Sequence, residues 1–123
     1  MSQQNSDWAA WIIEAKYEPS NEVAIEAIAK EMTSYFLSGE PQTTHFEWSV
    51  DSGRGQLILH ERYATSQAGL AHIKAFSDRF AERFSALVAP QRVVVFGNPS
   101  QELLDVLSGM SPEILRYLAG FSR

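Results

Sequence analysis

The sequence predicts an α+β fold in which an antiparallel sheet carries helices on one face. Two alternating runs, TTHFEWSVD and GQLILHERY, meet at the turn cluster DSGRG. Two other stretches repeat apolar residues at three- and four-residue spacing, and a continuous apolar run, RVVVFG, closes the pattern. With 123 residues, 45% of them hydrophobic, the chain is long enough for one core and too short for two ordinary domains.

The first strand is expected in WAAWIIEAKY, residues 8 to 17, where Trp11, Ile13, Ala15 and Tyr17 share one parity and hence one apolar face. Pro19 and Ser20 punctuate the chain, with Ser20 placed to cap a helix. Its stripe of Ile25, Ile28, Met32 and Phe36 runs out at Gly39. In the second strand Thr44, Phe46, Trp48 and Val50 face one way, and His45, Glu47 and Ser49 the other. Residues 51 to 55 turn the chain into the third strand, antiparallel to the second.

Thr65 or Ser66 can cap the second helix, whose stripe comprises Ile73, Phe76, Phe80, Phe84 and Leu87, and Pro90 marks its end. Residues 92 to 97 suit a strand buried on both faces. Ser100, and Ser111 with Pro112 behind it, each start a short helix, with Gly109 between them.

This βαββαβ order is that of a ferredoxin-like split unit. A single domain over 1–123 is expected, with a ferredoxin-like core at 8–97 and a helical extension at 98–123. The sheet face turned from the helices would carry Ile12 and Ile58 beside Glu14, His45, Glu47, His60 and Arg62. Such a mixed face suits packing against a second copy, so a symmetric homodimer is expected.

Composition removes several function classes. A formal charge of -5 argues against a nucleic-acid partner, because phosphate neutralisation needs clustered Lys and Arg. The lack of cysteine excludes disulfides, thiolate metal ligands and a thiol nucleophile. No apolar run approaches the roughly 18 residues of a membrane span, and the opening MSQQNSDW lacks a basic segment leading into an apolar one. A soluble, cytoplasmic protein without a membrane partner is therefore expected. The histidines lack HxH or HExxH spacing, and GRG and GNP read as turn material, so neither metal nor nucleotide cofactor is expected.

Strand parity makes Glu61 the leading candidate for chemistry. Leu57, Leu59, Glu61 and Tyr63 share a face, and the two leucines identify it as the face that meets the helices. A carboxylate there must be paired, neutralised or next to a wet pocket, and such surroundings can make it a general base. The competing reading is a satisfied strand end. His72, at the margin of the second helix's buried stripe, is the other catalytic candidate. His45 and His60 belong to the opposite parity, so His60 and Glu61 cannot serve one small ligand together. Trp11, Trp48, Tyr63 and Phe76 are candidate substrate-binding residues that could line a cavity for a flat aromatic molecule, against the simpler reading of an aromatic core.

FEWSVD, LHERYATSQAGLAHI, VVVFGNPS and the closing GFSR resemble the antibiotic biosynthesis monooxygenase-like families of the dimeric α/β-barrel superfamily, over roughly residues 11 to 96. The resemblance implies ferredoxin-like dimers with a pocket between sheet and helices, and an oxygenase that uses no cofactor and acts on a quinol- or anthrone-like aromatic. Glu61 or His72 would then generate the substrate anion. A dimeric small-ligand-binding or assembly module without catalysis is the alternative. The haem-degrading branch pairs a first-strand Asn with a Trp and a His on or near the second helix. This first strand has no Asn, Trp48 lies on the second strand and His72 comes early in its helix, so haem is not expected.

Overall fold

A computed structural model describes residues 6–123, and residues 1–5 of the opening segment lie outside it. The strands are β1 (Ala9–Lys16), β2 (Thr43–Asp51), β3 (Gln56–Tyr63), β4 (Ala89–Gly97) and β5 (Glu113–Ile114). The helices are α1 (Glu22–Gly39), α2 (Ser66–Arg79), α3 (Ala81–Leu87) and α4 (Gln101–Leu107). The sheet order is β2-β3-β1-β4-β5, antiparallel throughout except for the parallel β4–β5 pair. The fold is ferredoxin-like α+β, as expected, on a sheet that is mixed at one edge.

The helix-facing side is apolar as parity requires. Trp11, Ile13 and Ala15 of β1 are buried with Leu57 and Leu59 of β3, Val93 and Val95 of β4, and Ile25, Ile28, Met32 and Phe36 of α1. The hairpin register pairs Trp48 with Leu59 and Phe46 with Glu61, and β1 pairs Trp11 with Glu61. Gly55 closes the hairpin at φ 62, where an added Cβ would lie 2.2 Å from the Tyr17 carbonyl oxygen, so the position demands glycine.

Several local expectations are corrected. Ser20 sits within a short 3-10 turn, Pro19–Asn21, and α1 starts at Glu22 without a side-chain cap. In β2 an extra residue at Thr44 shifts the register between Thr43 and His45. This bulge turns Thr44 outward and leaves Thr43 half-buried on the inner side. Of the two caps expected for α2, Thr65 serves, accepting from the Ala68 N–H, while Ser66 is buried and ties Asp7 to Ser100.

The second helix is interrupted at Phe80, whose φ of −123 separates α2 from α3. Phe80 thereby packs on Tyr35 and Phe36, while Phe76 and Phe84 meet each other edge-on at 5.3 Å. Pro90 lies inside β4, where the ladder with β1 slips between Glu14 and Ala15; proline has no N–H to give it.

The C-terminal extension departs furthest from expectation. Ser100 caps α4 as expected, but the helix expected from Ser111 does not form. Ser111 adopts a left-handed conformation (φ 49), Glu113–Ile114 pairs with Val94–Val95, and the Leu115 N–H donates to the Val95 carbonyl at 2.8 Å. The free edge of β4 captures backbone that local helix signals would have coiled. No helix among the described residues is long and apolar enough to cross a membrane.

Candidate active site

The site is built on β3. Glu61 lies between Trp11 of β1 and Phe46 of β2 on the sheet, and Leu59 and Tyr63 flank it along its own strand face. It is 2% exposed, and an isolated carboxylate so placed would be strongly disfavoured. Its partners explain why it is tolerated. The Tyr63 hydroxyl donates to Glu61 Oε1 at 2.5 Å, and His72 Nε2 lies 3.0 Å from the same oxygen.

His72 is deeper than the helix margin assigned to it by periodicity, at 3% exposure. Its ring is held among Phe36, Phe46 and Tyr63, with centroids 4.3, 5.7 and 5.1 Å away. Its other nitrogen, Nδ1, lies 2.9 Å from Glu40 Oε1, which also accepts from the Thr43 hydroxyl at 2.8 Å. The result is a continuous chain, Thr43–Glu40–His72–Glu61–Tyr63, running through the core.

The chain of bonds sets the protonation of its members. Burial pushes the His72 pKa down, but its hydrogen bonds to the Glu40 and Glu61 carboxylates, with their charge, outweigh it and raise the value to about 9. His72 is therefore an imidazolium at neutral pH, donating from both nitrogens. Tyr63 is pushed well above 10, first by burial and then by the Glu61 charge and hydrogen bond, so it remains a neutral phenol.

Between the sheet and the α2, α3 and α4 helices lies a cavity of about 360 Å³. Glu61 and His72 line it together with Trp11 and Phe76, so four of the six sequence candidates are brought to one space. Most of the remaining wall is apolar, including Phe46, Leu59 and Ile73, while exposed Val106 and Met110 stand at its outer side. The extension thus supplies cavity wall.

Tyr63 and Trp48 are not among the lining residues. Tyr63 is fully buried, stacks on Trp11 at 4.7 Å and reaches the site through Glu61. Trp48 packs edge-on against Phe46 and Phe84, and its buried Nε1–H has no partner among the described residues. His45 and His60 stack on each other on the opposite face, as their parity requires.

Glu40 and Thr43 were missed by sequence reasoning. The one available signal was Pro41, which favours a tight turn; the Thr43 N–H does donate to the Glu40 carbonyl at 3.0 Å. Nothing in the sequence indicates that the Glu40 side chain points inward.

No protein-family model matches the sequence, and no curated protein matches it significantly. Solved structures do resemble it. MupZ from Pseudomonas fluorescens superposes with a TM-score of 0.80 at 20% identity, covering 96% of each chain. Proteins from Bacteroides thetaiotaomicron and Nitrosomonas europaea, both described provisionally as antibiotic biosynthesis monooxygenases, superpose with TM-scores of 0.62 and 0.64 at 18% and 17% identity. They cover 76% of this chain, which in turn covers 88% and 91% of theirs. The chain accordingly has the ferredoxin-like fold of these structures, the fold that its own residues had pointed to.

Proposed function

We propose that the protein is a cofactor-independent oxygenase of a small electron-rich aromatic of the quinol or anthrone type. The observation that carries this reading is the buried Glu61 carboxylate, bridged by Tyr63 and His72, on the wall of a largely apolar cavity. The cavity's volume of about 360 Å³ falls in the range of small-molecule sites. Apolar walls favour a flat ring, and one acid–base group at the inner side gives it orientation.

Glu61 is the base in this reading. His72, with both nitrogens donating, has no lone pair to offer, whereas Glu61 receives both of its donors on Oε1 and retains Oε2. For a substrate carrying an acidic CH₂ group, Glu61 Oε2 takes one proton and the carbanion transfers electrons to dioxygen. A carbon–oxygen bond forms, giving a peroxide. Loss of the second carbon-bound proton breaks the O–O bond and leaves a carbonyl, and the outer oxygen departs as water with the two protons. The substrate supplies the electrons, so the protein's part is desolvation, orientation and proton transfer. Trp48, whose Nε1–H has no partner among the described residues, packs behind the cavity-lining Phe46 and Phe84 and so positions the substrate ring through them.

Oxygen uptake by the purified protein with a panel of quinols and anthrones tests the assignment. Turnover that falls by about 10²- to 10⁴-fold in Glu61→Gln is expected. Ligand binding without oxygen uptake would replace this reading with that of a non-catalytic binding module.

The same reading includes a homodimer through the outer sheet face. Ile58 is 45% exposed there, beside the His45–His60 stack and the Glu14–Arg92 ion pair, a mixed apolar and charged surface suited to self-association. Light scattering should give a dimeric mass that Ile58→Lys reduces to the monomer; a wild-type monomer would remove this part. A cytoplasmic location belongs to the proposal as well.

A further inference from the structure

Glu40 belongs to the buried chain of bonds but has no part in the proton abstraction described above. It closes α1, where its N–H donates to the Phe36 carbonyl at 2.9 Å, and its own carbonyl accepts from the Thr43 N–H at 3.0 Å. Pro41 occupies the second position of that turn, a place its fixed φ suits. The backbone of Glu40 is thus held on both sides. The Thr43 hydroxyl then pins the side chain, donating at 2.8 Å to the same Oε1 that meets His72 Nδ1 at 2.9 Å.

A carboxylate oxygen has no proton to give, so the contacts at both ends of the His72 ring are hydrogen bonds only if both ring nitrogens carry protons. The titratable groups that meet the ring are Glu40 from the α1–β2 turn and Glu61 and Tyr63 from β3; α1 and β2 present Phe36 and Phe46. Without Glu40, Nδ1 would face no acceptor, and the apolar surroundings, opposed by Glu61 alone, would make the neutral ring accessible at a lower pH, in either tautomer. One of those tautomers turns a lone pair toward Glu61 and removes a donor from it.

We infer that Glu40 is a positioning residue: anchored by Thr43, it fixes the His72 ring in the orientation and doubly protonated state that present Nε2–H to Glu61. Its catalytic meaning rests on the reading of Glu61 as base, but its physical content does not. The arrangement has the logic of an orienting carboxylate on an active-site histidine, with the orienter reached from a turn rather than from the sheet. Glu40 also retains 15% side-chain exposure against 3% for Glu61, which makes it the carboxylate on the ring nearer to water.

Ring-nitrogen NMR of the full-length, isotopically labelled protein across pH 5 to 10 reads the state of His72 without any turnover. Both nitrogens should be protonated at pH 7 in the wild type, with a midpoint near 9. Glu40→Gln should lower that midpoint by about one pH unit or more, since it removes a charged acceptor. Thr43→Val, which leaves the carboxylate in place but unpinned, should lower it by less. A neutral His72 in the wild type at pH 7 would overturn the inference, as would an unchanged midpoint in Glu40→Gln. Should that variant fail to fold, Thr43→Val decides: a lowered midpoint supports the inference and an unchanged one overturns it. A failed oxygen-uptake assay with a normal His72 titration would sink the oxygenase reading alone.

Discussion

His72 Nε2 stands 3.0 Å from Glu61 Oε1 at a place where neither side chain exposes more than 4% of its surface. Burying this pair is costly, and it is sustained by Glu40 at the other ring nitrogen and Tyr63 at the same carboxylate oxygen. The cluster should therefore govern both the stability of the fold and the chemistry of the cavity.

Stability should fall as the solution becomes alkaline. The folded pKa of His72, about 9, lies above the ordinary value of 6.5. Its stabilising contribution is thus fully present below pH 6.5 and is lost as pH rises through 9. The expected loss is on the order of 3 kcal/mol, measured as urea midpoints between pH 6 and pH 10. His72→Gln should lack this component of the pH dependence; a parallel decline in the variant would assign it to other groups.

Glu61→Gln keeps the shape of the side chain and removes its basicity. With a substrate found by oxygen uptake, turnover should fall by about 10²- to 10⁴-fold, the usual contribution of a general base. Binding of the same aromatic, followed by tryptophan fluorescence, should change much less. An unaltered rate would remove Glu61 from the chemistry.

Tyr63→Phe separates the hydroxyl from the ring. The stack on Trp11, with centroids 4.7 Å apart, survives the substitution, but Glu61 loses one of its two donors. A destabilisation of about 1 to 3 kcal/mol is expected from chemical denaturation, with a smaller loss of turnover than in Glu61→Gln. A neutral effect on stability would mean that the 2.5 Å contact contributes nothing net.

The outer wall of the cavity should control ligand size. Val106 and Met110 are 48% and 43% exposed and line the cavity from the C-terminal extension. Met110→Trp should weaken binding of a naphthol probe by at least about tenfold while changing stability by no more than about 0.5 kcal/mol, as surface substitutions generally do. Equal affinity in the two proteins would place the ligand elsewhere.

Much of this architecture is legible in the residues themselves. The alternation in β2 and β3, the stripe of α1 and the apolar run of β4 specify element type because one face of each must leave water. The inward direction of Glu61 and Tyr63 followed from the same parity with Leu57 and Leu59, and so did the separation of His60 from Glu61. The depth of His72 was not legible: helical spacing placed it at a margin, but the Phe36 and Phe46 rings of neighbouring elements enclose it.

Local pattern by itself determined the βαββαβ order of the core up to β4, the apolar face of the sheet and the presence of a buried carboxylate on β3. Only the tertiary structure decided what that carboxylate meets. The bulge at Thr44 brings Thr43 inward, the turn at Pro41 aims Glu40 at His72, and the free edge of β4 turns an expected helix into β5. Each depends on groups far apart in the chain competing for the same hydrogen bonds, and short-range periodicity contains no information about that competition.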